Sequence, residues 1–200
     1  MPGPRQDLRQ ALQRLAFDQA GYFTAKQAIS IGYSYQAQKY HVDHGNWLRI
    51  DRGLFRLPHW PPATDDAFIR WSLWADGRGV VSHESALAVH ELSDLDPTHV
   101  HLTVAPDFRA RDSAVIIHLA DLDAAAVEDR GAWKVTTPVR TLIDAAATDL
   151  SQEHIDAAVG DALRSGKITR RVLRRATEGA SAEQALKLER ALKRMEDESE

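Results

Sequence analysis

Residues 21–57 decide the fold of the N-terminal part of the chain, and they read GYFTAKQAISIGYSYQAQKYHVDHGNWLRIDRGLFRL. Thr24 and Gln27 have the spacing of a capping box, which predicts the start of a short helix. Ser34 offers the next N-cap, and a second helix is predicted from there through Val42. Two short helices joined by a turn that contains glycine and tyrosine are typical of a helix–turn–helix.

The segment that follows these helices has the pattern of a β-hairpin. Residues 47–50 and 54–57 are mostly aliphatic and aromatic, and the Asp51-Arg52-Gly53 stretch between them has the composition of a tight turn. A hairpin directly after a helix–turn–helix is a wing. Apolar residues at three- and four-residue steps from residue 8 to 16 predict a further amphipathic helix in front, so the segment reads as a winged helix.

The remainder of the chain mixes the patterns of helices and strands. Strands are expected at residues 98–104, 114–119 and 133–136, and helices at 64–75, 82–92, from 138 onward, 151–164, 169–178 and 181–195. The proline-rich stretch at residues 58–62 marks a linker. We therefore predict an α+β protein with a winged helix–turn–helix DNA-binding domain at 1–60. An α+β domain with a small sheet and basic C-terminal helices is predicted at 61–200.

Composition excludes several classes of protein. The 200 residues are 44% hydrophobic and 27% charged, which is typical of a globular chain. The absence of cysteine excludes disulfides, thiol catalysis and thiolate zinc sites. No apolar run approaches the roughly 20 residues of a membrane span, and the first residues lack a signal-peptide pattern. We expect a cytoplasmic protein without a membrane partner.

The formal net charge of -4 conceals a segregated distribution. Residues 1–57 carry eight basic and four acidic residues, whereas residues 58–150 carry seven and fifteen. Residues 151–200 carry ten of each, with six basic residues inside a span of twelve. Charge separated in this way favours surfaces with different partners.

The N-terminal segment supplies one set of candidate DNA-binding residues. Side chains at the start of the second helix and one turn on face outward together, so a glutamine there can bond a base edge and a lysine or tyrosine can reach base or phosphate. Arginines along and at the tip of the wing suit phosphate or minor-groove contacts. The candidates are Lys26, Ser34, Tyr35, Gln36, Lys39, Tyr40, Arg49, Arg52 and Arg56.

The C-terminal segment supplies the second set. On a helix that begins at Thr169, the arginines lie in two adjacent rows, and they repel each other unless an anion or an acidic surface is near. DNA phosphate is one such partner, and the acidic surface of residues 58–150 is the alternative. The candidates are Arg164, Lys167, Arg170, Arg171, Arg174 and Arg175.

Histidine-rich strands raise the alternative of a metal-dependent hydrolase. His99 and His101 share one strand face and His118 lies on another strand, but strand alternation alone also exposes polar residues at these positions. His83 is expected to bond locally at a helix start. No nucleophile elbow accompanies it, so we predict neither catalytic residues nor a cofactor nor a metal.

Several runs of the sequence resemble the AbiEi-type antitoxins of type IV toxin-antitoxin systems. The runs lie at residues 21–28, 32–34, 45–57, 81–92, 99–104 and 136–144 and are spread over residues 21–150. The resemblance implies a winged-helix repressor that binds inverted repeats of operator DNA in its own promoter. It also implies that the protein counteracts a nucleotidyltransferase-like toxin, a task that we expect of the α+β domain, and it does not imply an enzyme.

The second helix departs from the family pattern, because Lys39 is its only fixed cation where relatives often carry several arginines. A chain short of phosphate contacts can recover them by self-association on DNA or through a second basic patch. The alternative is a protein-interaction antitoxin module without DNA binding.

Overall fold

The computed structural model describes the backbone of residues 4–197 and the side chains of residues 6–197. These residues form two compact units. The first runs up to Gly77 and includes Gly131–Trp133, and the second consists of Arg78–Arg130 and the chain from Lys134 onward. The α+β fold class, with a winged helix–turn–helix at the N-terminus, is confirmed.

The first unit holds three helices, a small sheet and a fourth helix. Their order is α1 (Pro4–Asp18), β1 (Tyr22–Thr24), α2 (Ala25–Ile31), α3 (Tyr35–Asp43), β2 (Leu48–Asp51), β3 (Leu54–Arg56) and α4 (Asp66–Trp74). The three strands are antiparallel in the order β1-β3-β2. We call β2, β3 and their turn the wing.

Caps define the helix–turn–helix as the sequence predicts. The Thr24 hydroxyl accepts from the Gln27 backbone N–H while the Gln27 side chain accepts from the Thr24 N–H, which completes the capping box. The Ser34 side chain accepts from the backbone N–H of Ala37 and begins α3. Gly32 has φ 120°, a left-handed conformation that glycine adopts without strain, and so α2 ends there.

An aromatic core holds α1, the helix–turn–helix and the wing together. The ring of Phe23 on β1 meets Trp47 edge-on at 4.8 Å and lies 5.7 Å from Phe55 on β3. All three rings are buried, together with Leu12 and Ala16 of α1. Burial of three large aromatic rings in contact with one another stabilises this small domain.

The first unit continues past the wing into α4. A guanidinium nitrogen of Arg56 lies 2.8 Å from a carboxylate oxygen of Asp66, and the indole N–H of Trp133 donates to Asp65 at 3.2 Å. The ring of Phe68 packs 4.9 Å from that of Trp133. The domain boundary at residue 60 stays a prediction about the DNA-binding domain, while these contacts join α4 to the same compact unit.

The second unit is a five-stranded sheet with a helical layer. Its elements are β4 (Val80–Val81), α5 (His83–Val89), β5 (Val100–Val104), β6 (Val115–Leu119), β7 (Val127–Asp129), β8 (Lys134–Thr136), α6 (Pro138–Ala146), α7 (Gln152–Arg164), α8 (Arg170–Thr177) and α9 (Ala182–Asp197). The strand order is β6-β5-β4-β8-β7. Strands β5 and β6 are parallel, as are β4 and β8.

The helices α5 to α9 share one apolar core. Leu87, Leu142, Ile155, Leu173 and Leu188, one from each helix, are fully buried in it. The sheet contributes none of the buried residues of that cluster. Within residues 4–197, no helix is long and apolar enough to cross a membrane.

Candidate nucleic-acid interface

One face of helix α3 packs against the core of the first unit. The Gln38 side chain is buried, and its amide donates to the carbonyl oxygens of Ala25 and Tyr33, both at 3.2 Å. The ring of His41 lies parallel to that of Trp47 at 4.8 Å. Burial lowers the pKa of His41, so this ring stays neutral at neutral pH. These contacts fix the rotation of α3 about its axis.

The opposite face of α3 is exposed to solvent. Ser34, Tyr35, Gln36, Lys39 and Tyr40 are all exposed, as the sequence predicts. Tyr35 is 72% exposed and Tyr40 is 55% exposed, high values for tyrosine. The Gln36 amide makes no hydrogen bond to any residue in the described part of the chain. The ring of Tyr40 stacks on that of His44 at 3.9 Å, which orients it.

The cation of α3 has a partner on its own helix. The Lys39 ammonium lies 2.7 Å from a carboxylate oxygen of Asp43, and both side chains are exposed. Asp43 is one turn farther along, so the pair has i, i+4 spacing. The outward face of α3 therefore has little net positive charge.

Two of the three arginines of the wing are exposed to solvent. Arg49 and Arg52 are exposed, Arg49 on β2 and Arg52 in the turn. The guanidinium of Arg49 lies over the Phe55 ring at 5.9 Å. The Arg52 guanidinium has no partner among residues 4–197, while its backbone N–H donates to the Asp51 carboxylate at 2.6 Å. A charged side chain at the tip of a wing is well placed for an anionic ligand.

Arg56 is not on the exposed face that strand alternation predicts for it. Its side chain is only 15% exposed. Its Nε donates to the Ala20 carbonyl at 3.1 Å, its guanidinium lies over the Tyr22 ring at 4.5 Å, and Asp66 pairs with it. Period-two alternation takes no account of Asp66, which is supplied from outside the hairpin. Arg56 therefore stabilises the unit.

Lys26 on α2 is exposed and paired. Its ammonium lies 2.5 Å from a carboxylate oxygen of Asp76, and both groups are more than half exposed. Such a pair contributes little to stability and opens easily to a competing anion.

Arg9 on α1 is a cation that the sequence analysis does not single out. It is exposed and lines, with Tyr33, Ser34 and Tyr40, a groove of about 900 Å³ that runs between α1 and α3. Burial raises the pKa of Tyr33, and the positive charge of Arg9 opposes that rise, which reflects their proximity. The exposed positions of an amphipathic α1 were the available signal for it.

The C-terminal cations are exposed but mostly paired. Arg174 bonds Glu196 at 2.7 Å, Arg164 bonds Asp161 at 2.6 Å, and Arg170 donates to the Met195 carbonyl at 3.3 Å. Lys167 donates to the His90 carbonyl. Arg171 and Arg175, one turn apart on α8, have no partner in the part of the chain that the structure describes. Arg171 and Arg175 are thus the side chains of this cluster without a hydrogen-bond or ion-pair partner there, while Arg170 keeps its charge because its partner is a neutral carbonyl.

A histidine cluster in the second unit joins residues distant in sequence. The rings of His83 and His118 stack at 3.4 Å, and His118 Nε2 lies 3.2 Å from His101 Nδ1. His101 Nε2 is 3.6 Å from the Glu84 carboxylate. His99, which the sequence analysis groups with His101 and His118, is exposed. The cluster therefore forms around a different third histidine, His83, whose backbone has the strained φ of 51°.

Burial keeps this cluster uncharged. Desolvation, with the neighbouring His118, His101 and Arg140 adding to it, lowers the pKa of His83 to about 3. Desolvation and His101 lower the pKa of His118 to about 4. No group of three or more metal-ligating side chains within residues 4–197 could hold a metal ion. Burial likewise lowers the pKa of His101, so the three imidazole rings are neutral at pH 7.

Comparison with known proteins gives a match in the first unit. Residues 10–58 match the family model described as transcriptional regulator, AbiEi antitoxin. The match spans α1, the helix–turn–helix and the wing, and it confirms the resemblance for this segment. No curated protein matches the chain.

Among solved structures, the fold is similar to that of the RV2827C protein from Mycobacterium tuberculosis. The TM-score is 0.59 at 15% sequence identity, and the alignment covers 90% of this chain and 75% of the other. At that identity the likeness concerns the fold alone. It extends over both units, well beyond the segment that the family model matches.

Proposed function

We propose that this chain, whose residues 10–58 match the AbiEi antitoxin regulators, is a cytoplasmic antitoxin and autorepressor that binds double-stranded operator DNA. The observation that carries the proposal is the outward face of α3. Its side chains are exposed while the opposite face is fixed to the core, as a helix that enters the major groove requires.

The wing and flanking cations complete the proposed DNA surface. Arg49 and Arg52 contact phosphate or the minor groove, and Arg9 and Lys26 reach the backbone beside the helix–turn–helix. The cluster around α8 adds non-specific phosphate contacts, chiefly through Arg171 and Arg175. Binding as two copies to an inverted repeat doubles the number of these contacts.

A gel-shift titration with the DNA upstream of the reading frame tests the repressor role. We expect a discrete shift that Gln36→Ala and Arg52→Ala weaken, because both side chains are exposed and neither has an internal partner. Exchange of the exposed Gln10 on α1 for Ala is the matched control. No shift even at low salt would refute DNA binding.

We assign the antitoxin role to the second unit. In this role the protein counteracts a nucleotidyltransferase-like toxin. Expression of the neighbouring reading frame, alone and with this chain, tests that role through growth of the host. Rescue by the full chain that carries Gln36→Ala and Arg52→Ala would separate this role from DNA binding. Toxicity unchanged by the full chain would refute it.

The alternative is an antitoxin module that contacts proteins and not DNA. The Lys39–Asp43 pair favours it, because it leaves α3 with exposed tyrosines and little positive charge, a composition also typical of protein interfaces. A stable complex with the toxin that Tyr35→Ala disrupts, in a protein that shifts no DNA, would select this alternative.

A further inference from the structure

We propose that the winged helix selects A·T base pairs, with Gln36 reading adenine, Tyr35 and Tyr40 contacting thymine methyl groups, and Arg52 entering a narrow minor groove. This inference rests on the proposed DNA binding and adds the base composition of the half-site to it. The proposal is based on which side chains of α3 and the wing already have a partner within the protein and which do not.

The outward face of α3 lacks a guanine reader. Guanine presents two acceptors in the major groove, and arginine or lysine normally bonds them. Residues 34–44 contain no arginine, and the ammonium of the single lysine, Lys39, is held by Asp43 at 2.7 Å. A guanine contact would have to displace that carboxylate from an exposed, weak pair, so the main deficit of the helix for G·C pairs is its lack of arginine.

Gln36 carries the complementary chemistry for adenine. Its carboxamide holds a donor and an acceptor in one plane, which matches N7 and the N6 amino group of adenine. The side chain is exposed near the N-terminus of α3 and has no internal hydrogen bond within residues 4–197. Gln38 has the same chemistry but is buried and bonded to Tyr33 and Ala25. Gln36 is thus the glutamine of α3 that is available to a base.

Two aromatic rings flank it on the same helix. Tyr35 is adjacent to Gln36, and Tyr40 lies one turn on, stacked on His44. The thymine C5 methyl is the apolar group that the major groove offers. Exposed rings that gain apolar contact on binding favour positions where that methyl is present.

The wing supports the same base composition independently. A·T-rich tracts narrow the minor groove and deepen its negative potential, which attracts an inserted arginine. Arg52 stands in the turn of the wing with an unpaired guanidinium. It reads groove width instead of individual bases. Both parts of the surface then prefer A·T-rich DNA.

Selection from a pool of random duplexes with the full chain tests the proposal. We expect A·T pairs at the half-site, and we expect Gln36→Ala to lower affinity about 5- to 100-fold and to relax the preference at one position. Gln10→Ala should change neither, and circular dichroism should show both variants folded. Enrichment of G·C pairs in duplexes that bind would overturn this inference and leave the proposed function intact.

Thymine replaced by uracil in the selected duplex removes the methyl groups alone. We expect about four-fold weaker binding for each contacted thymine, a penalty that Tyr35→Ala with Tyr40→Ala abolishes. An unchanged affinity for the uracil duplex would overturn the tyrosine contacts. Equal binding of single strands would overturn groove reading altogether, and binding to no duplex at low salt would overturn the proposed function with it.

Discussion

The ammonium of Lys39 and the carboxylate of Asp43 lie 2.7 Å apart on the outward face of α3. Both groups are well exposed, so the pair is weak and solvent screens it. If α3 binds DNA as proposed, the pair matters for binding, because it engages the one lysine of that helix. Release of that lysine should be visible in how DNA binding depends on salt.

Asp43→Asn should therefore tighten DNA binding. The freed ammonium can neutralise one more phosphate, which makes the slope of log K against log salt steeper by about one. Fluorescence anisotropy with labelled duplex at several salt concentrations measures the slope. Asp18→Asn, which removes an exposed carboxylate from α1, is the control for net charge. An equal change in the two variants would show that the pair has no particular role.

Arg56→Ala should destabilise the first unit instead of weakening DNA contacts directly. The change leaves Asp66 without its partner and removes the bond to the Ala20 carbonyl, at a cost of about 2 kcal/mol. Urea denaturation followed by tryptophan fluorescence measures it. Arg52→Ala, at the exposed turn, should stay within about 0.5 kcal/mol of the parent protein. Full stability of Arg56→Ala would return Arg56 to the list of DNA-binding candidates.

The α8 cluster should act through its two unpaired arginines. Arg171→Ala with Arg175→Ala should make the salt slope shallower by about two, since two phosphate contacts are lost. Arg174→Ala should change it less, because Glu196 and Glu189 already neutralise that side chain. The three substitutions are made in the full chain and read by anisotropy. An unchanged slope in the double variant would favour pairing with an acidic protein surface.

The histidine cluster should make the second unit sensitive to acid. In the folded protein the pKa of His83 is lowered to about 3 and that of His118 to about 4, while an unfolded chain protonates histidine near 6.5. The unfolded state therefore binds more protons below pH 6.5, and stability falls as pH drops toward these folded-state values. Each neutral histidine contributes about 1.4 kcal/mol per pH unit to this loss.

Urea midpoints at pH 7, 5.5 and 4.5 measure this loss for the parent protein and for His118→Asn. The variant should lose less stability on acidification, because one of the rings that resists protonation is gone. His99→Asn changes an exposed histidine that directly precedes β5, and this variant should behave as the parent does. Parallel curves for His118→Asn and the parent would contradict the linkage.

Local signals explain why the helix–turn–helix could be predicted from the sequence. Thr24, Gln27 and Ser34 act on backbone groups within three residues, so their spacing alone predicts where the helices begin. Strands β1, β4 and β7 are not predicted, because two or three residues give no periodicity and, unlike the equally short β3 and β8, they do not lie in one of the predicted strand segments, such as residues 54–57 and 133–136. They exist through pairing with distant strands, as Tyr22 with Arg56 shows.

The wrong predictions for Arg56 and for the histidine cluster also arise from contacts that the local sequence does not contain. The exposure of Arg56 depends on Asp66, ten residues away, and the histidine cluster depends on the parallel register that sets Thr103 beside His118. The residue pattern of a single strand does not show how that strand pairs with its neighbour. By contrast, the exposure of Tyr35, Gln36 and Lys39 follows from the period of α3 and was predicted.

The side chains of α3 that pack on the core and those proposed to bind DNA lie on opposite sides of the helix. Gln38 and His41 hold the helix to the core, whereas Tyr35 and Gln36 are exposed and Tyr40 meets the core only through an edge-on contact with the His41 ring at 5.6 Å. Substitutions on the outer side are therefore nearly free of folding cost. If α3 reads DNA as proposed, a single substitution on that side can change the target sequence and leave the fold intact.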